Sequence, residues 1–87
     1  MVLDVHIMKA DSLKGKRRVL RSIKTNLRNR FNISITELDY HELWQRTKLG
    51  VVRIGNKDTK QTFDKMLNYL KNVRSIDIID FEVVKLA

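Results

Sequence analysis

The chain has no cysteine and no proline, and only three of its 87 residues are glycine. Without cysteine there is no disulfide, no thiolate nucleophile and no Cys-ligated zinc or iron–sulfur centre. So little proline and glycine excludes low-complexity linkers and collagen-like repeats. No apolar run approaches the ~20 residues of a membrane-spanning helix. The opening stretch MVLDVHIM lacks the basic segment and apolar core of a secretory signal. These absences predict a cytoplasmic protein of one domain, residues 1–87, with no membrane association. A domain this small has a thin core and little stability to spare.

One further absence is local. Between Ser12 and Thr36 there is no Asp or Glu, while Lys14, Lys16, Arg17, Arg18, Arg21, Lys24, Arg28 and Arg30 all fall there. The rest of the chain holds ten basic residues against ten acidic ones. The formal net charge of +8 is therefore the charge of one segment, which a uniform solubility charge would not produce.

Periodicity gives the elements. Leu3, Val5 and Ile7 alternate with Asp4, His6 and Met8, which predicts a strand over Val2–Met8. Ser12 is placed to cap a helix from Leu13 to about Phe31, whose apolar residues recur three or four apart. Lys14, Arg17, Arg21, Lys24 and Arg28 line the opposite face, with Arg18 at its border. Lys16 and Arg30 fall near the apolar sector and are expected to run outward along its edge. Asn32 is the expected helix stop, since Asn tolerates left-handed backbone.

Strands are expected over Ile33–Leu38, Lys48–Ile54 and Ile76–Leu86. A connection over Asp39–Thr47, with room for one helical turn, joins the first two of these. A turn at Gly55-Asn56-Lys57 precedes a second helix, which runs to about Val73 and opens with Asp58 and Gln61 spaced as a capping box. The order βαββαβ predicts an α+β, ferredoxin-like sandwich: a four-stranded antiparallel sheet with two helices on one face.

The segments S12-LK-x-KRRVL20, L27-RNRFN-x-S34, L43-WQR46 and L49-GV51 resemble the YlxP-like family of small bacterial proteins, a domain of unknown function. The resemblance covers nearly the whole chain. It implies a ferredoxin-like fold and a setting among translation and ribosome-maturation genes. Gly15 stands where the family pattern is usually acidic, and Glu42 where Asp is common. An acidic residue at position 15 would close a capping box with Ser12.

Chemistry-bearing constellations are few. His41-Glu42-Leu43-Trp44-Gln45 begins like a zincin helix, but Gln45 stands where the second metal-binding His must be. No Ser lies in a nucleophile elbow. No catalytic residue, metal site or cofactor is therefore expected, and the protein is read as no enzyme. The first and third strands carry no aromatic residue, unlike an RNA-recognition motif, which stacks bases on its sheet. Asp80 and Glu82, near Asp4, are expected to make the open sheet face partly acidic.

The basic helix is the strongest signal. Like charges four apart destabilise a helix by a few tenths of a kcal/mol per pair, a cost that an anionic partner offsets. Lys14, Arg17, Arg18, Arg21, Lys24 and Arg28 are the expected phosphate contacts. Trp44 or Tyr40 stacking a base, with Gln45 and Arg46 bonding it, would complete a nucleic-acid site. Two other readings of Trp44 stand beside this one. With Leu43 it closes an edge of the thin core, or it seats a homodimer. The expected partner is RNA or the ribosome, with a homodimer through the open sheet face or the Trp44 loop as a further contact. The alternative is a non-enzymatic homo-oligomeric module that binds an acidic protein.

Overall fold

Leu3, Val5 and Ile7 are buried while Val2, Asp4 and His6 are half-exposed, the two-residue alternation of a strand with one covered face. The computed structural model describes residues 1–8, 10–54 and 58–84. Its elements are β1 (Val2–Ile7), α1 (Leu13–Arg30), β2 (Ser34–Asp39), β3 (Arg46–Val52), α2 (Thr59–Lys71) and β4 (Ile76–Glu82). The sheet order is β2-β3-β1-β4, with every neighbour antiparallel. This is the ferredoxin-like α+β arrangement. One apolar cluster joins Leu20, Ile23 and Leu27 of α1 and Phe63, Met66 and Leu70 of α2 to the inward residues of the strands. The two helices divide the sheet, α1 lying against β2 and α2 against β4.

Local chemistry sets the ends of the elements. The Ser12 hydroxyl accepts the Gly15 N–H at 3.0 Å, so α1 is capped without an acidic residue at position 15. Phe31, in extended conformation, ends the helix and donates its N–H to the Leu27 carbonyl. Asn32 is not left-handed: among the described non-glycine residues only Tyr40 has positive φ. The capping box expected of Asp58 and Gln61 also fails. The Asp58 side chain makes no cap bond and instead pairs with Arg53 at 3.1 Å. The last strand ends at Glu82, short of its expected reach to Leu86: Val83 and Val84 are described and lie outside it. The expected turn at 55–57, Lys9 and residues 85–86 of that strand lie outside the described residues.

The strands differ from expectation in register. β3 begins at Arg46, so the expected 39–47 connection shrinks to 40–45 and contains no helical turn. In β4 a bulge opposite Asp4 and Val5 admits Ile79 as an extra residue. Ile76 and Ile78 therefore face inward, while Ile79 and Phe81 stay half-exposed.

The two sheet edges are unlike. Val51 exchanges both backbone bonds with Met1, so its polar groups face β1. Ile35, its partner on β2, must then aim its own carbonyl at the free edge. Arg28 reaches down from α1 and donates to that carbonyl at 3.1 Å. Among the described residues β4 has no such arginine on its edge.

The main departure from the helical pattern is Lys16. It turns inward, at 1% exposure, rather than snorkelling out. Its ammonium lies 2.8 Å from the Glu37 carboxylate and donates to the Tyr40 carbonyl at 2.6 Å. The buried Thr47 hydroxyl donates to the same carboxylate oxygen at 2.6 Å. The pair thus ties α1 to β2 and β3 and satisfies the charges it buries. Burial alone would push the Glu37 carboxyl up. The bonds from Lys16 and Thr47 outweigh burial and hold it below the usual carboxylate range.

Removing the cation alone leaves a half-buried carboxylate without its counter-charge. Lys16→Met is expected to destabilise the fold by about 3 kcal/mol, read by urea denaturation at pH 7. Because the folded-state pKa of Glu37 lies below its unfolded value, its contribution is complete above about pH 4.3 and is lost as pH falls through the folded value. A Glu37→Gln variant is expected to be less stable at neutral pH and to have a flatter stability curve between pH 5 and 3, measured by denaturation at each pH. A variant curve as steep as the parent's would show that Glu37 is not the group being titrated.

Candidate nucleic-acid interface

The exposed flank of α1 follows from its sequence. Lys16, Leu20, Ile23 and Leu27 take the buried side, so residues three and four apart on the other side form a continuous row of cations. Lys14, Arg17, Arg18 and Arg21 are exposed and Lys24 is half-exposed. Among the described residues, none of these five makes a side-chain hydrogen bond or an ion pair. No acidic residue stands in the first turn to offset them.

Three members of the basic segment are committed elsewhere. Lys16 is spent on Glu37. Arg28 is exposed, but one of its nitrogens holds the β2 edge. Arg30 lies over the Tyr69 ring, 4.7 Å from its centroid, and packs α1 against α2. The eight charges counted along the sequence thus reduce to five free cations plus the remaining donors of Arg28.

The connection 40–45 is built as a rigid platform at the N-terminal end of α1. Tyr40 is left-handed at φ 62°, unfavourable for a residue with a Cβ. Three bonds hold it there. Its N–H donates to the Asp39 carboxylate at 2.7 Å, and its carbonyl accepts from Lys16 and from the Leu43 N–H. Gln45 donates its side-chain amide to the Ala10 carbonyl at 3.1 Å, two residues before the α1 cap. Its backbone carbonyl accepts the Ile7 N–H.

Arg46 is clamped more firmly still. Its guanidinium forks onto the Asp4 carboxylate at 3.0 and 2.7 Å and lies 4.6 Å above the Tyr40 ring. The Arg46 hydrogen bond holds the Asp4 carboxyl below its ordinary range, and Arg46 itself is raised in return. This narrows the role expected of Arg46 toward a base: its Nε and Nη2 are held by Asp4, and Nη1 alone is left to bond one. It also alters the expected acidic patch, because Asp4 is neutralised and has Lys48 as its β3 partner.

Trp44 does not close the core. It is 52% exposed, and Leu43 beside it is 48% exposed. His6, Glu42, Leu43, Trp44, Gln45 and Arg46 line an open cleft. The bonds that hold the connection carrying Trp44 are not legible in the sequence. Tyr40 looked like a second stacking residue, and nothing in the spacing showed that Arg46 would cover it. His6 enters the cleft because β1 pairs with β3 in the register His6 to Arg46, and only the fold supplies that register.

The chain has relatives along nearly its full length. A family model described as "Protein of unknown function (DUF503)" matches residues 1–83. "Uncharacterized protein YlxP" of Bacillus subtilis (strain 168) is 36% identical over 73 residues, covering 82% of this chain and 79% of that protein. With both the family model and a relative matched at this extent, the chain belongs to the YlxP-like DUF503 family of unknown function.

Proposed function

We propose that this chain is a non-catalytic protein that binds structured RNA through the free flank of α1. One observation carries the reading. Five cations, Lys14, Arg17, Arg18, Arg21 and Lys24, stand in a row with no carboxylate partner among the described residues. At 1.5 Å per residue the row runs for roughly 15 Å, enough to follow successive phosphates of one strand. Such a row binds chiefly by releasing condensed counterions. The setting among translation genes that the family resemblance implies favours ribosomal RNA as the partner.

The test is a salt titration of binding to a ribosomal RNA fragment, with the parent and an Arg17→Glu, Arg21→Glu, Lys24→Glu variant. The parent is expected to bind with a steep salt dependence. The variant is expected to lose at least about tenfold in affinity at 50 mM salt and to flatten the log K against log salt slope by about two to three. All three side chains lie outside the core, so the thermal midpoint should shift by no more than a few degrees. Equal binding by parent and variant at matched salt would refute the reading. Capture of an acidic protein with no retained RNA would refute it in favour of a protein partner.

A further inference from the structure

We propose that the cleft beside Trp44 receives one unpaired nucleobase, so that the preferred RNA carries an unpaired nucleotide next to a duplex. The proposal rests on the reading of α1 as the phosphate-binding face. It deepens that reading by assigning a different chemistry to the other end of the site.

The cleft is unsuited to phosphate. Arg46 has both arms of its fork on Asp4, and Glu42 at the rim is an exposed carboxylate with no partner among the described residues. A phosphate would meet a negative rim and an arginine whose charge is already paired with Asp4. A base is neutral and suits the same walls. The exposed indole of Trp44 offers a stacking surface, and Leu43 extends it. Gln45 donates from its side-chain nitrogen to Ala10, so its side-chain oxygen is left to accept an exocyclic amine.

Pre-organisation points the same way. An exposed tryptophan on a mobile loop would lose entropy on binding. This one is carried by a segment fixed at Tyr40, Leu43 and Gln45 by backbone and buried-lysine bonds. The Gln45 bond to Ala10 also sets the cleft beside the start of α1, where the row of cations begins at Lys14.

Trp44 is the only tryptophan in the chain, so its emission reports occupancy of the cleft. The experiment compares a blunt RNA stem-loop with the same stem-loop carrying one dangling 3′ adenosine, each titrated into the full chain at 50 mM salt. Both are expected to bind through α1. Only the dangling form is expected to quench the emission, and it should bind about five- to a hundredfold tighter, as stacking of one base allows. In Trp44→Ala the two RNAs should bind alike. Equal affinities with no difference in quenching would overturn the cleft assignment while leaving the α1 reading in place. Failure of both RNAs to bind would overturn both readings.

Discussion

The contact between Lys16 and Glu37 is the constraint on which the functional end of the molecule depends. A lysine with 1% exposure is tolerated only where its charge is matched and its protons are taken up. Glu37 supplies the charge, and the Tyr40 carbonyl takes a second proton. That carbonyl belongs to the one described non-glycine residue in left-handed conformation. The lysine therefore holds a backbone geometry that Tyr40 would not choose alone. The Tyr40 ring then carries Arg46, and Arg46 holds Asp4. One buried cation in the helix thus sets the shape of a loop 24 residues away in sequence.

The same contact divides the labour among the cations of α1. Those facing inward or toward α2 are structural, as the Lys16 ion pair and the Arg30 stack on Tyr69 show. Those on the outer flank meet no counter-charge. Counting charge along the sequence overstates the binding face, because a helix distributes consecutive residues around its whole circumference. The free charge is smaller than the count but confined to one flank.

Elements fixed by a simple period were legible in the sequence. The alternation in Leu3, Val5 and Ile7 and the three- and four-residue spacing in α1 report burial directly, and they carried the element order and the ferredoxin-like arrangement. Features depending on a partner distant in sequence were not legible. The helical wheel gives the sector of Lys16 but not the carboxylate waiting there. Asp58 is spaced as a cap, yet Arg53 competes for it and wins. Core closure is one of three readings of Trp44, since large side chains are usually buried. Trp44 is exposed, and Tyr40 in the same connection is left-handed, which no local propensity announces. Leu38 sits against Gly50, where an added Cβ would approach within 2.9 Å of it. The glycine in Leu49-Gly50-Val51 thus has a packing reason that spacing alone does not reveal.

The hold of Arg28 on the outer carbonyl of Ile35 reaches beyond the single molecule. An open sheet can extend sideways from either edge, and a sheet that extends from both builds a fibre. Here one outward carbonyl of the β2 edge is occupied from within, which makes that edge the poorer template and leaves β4 the more open one. Asp77, Asp80 and Glu82 lie along β4, so a β4-to-β4 pairing brings two acidic strands together, which adds repulsion. One arginine of the basic helix thus weighs against sideways growth at one edge, and the acidic strand opposite weighs against it at the other.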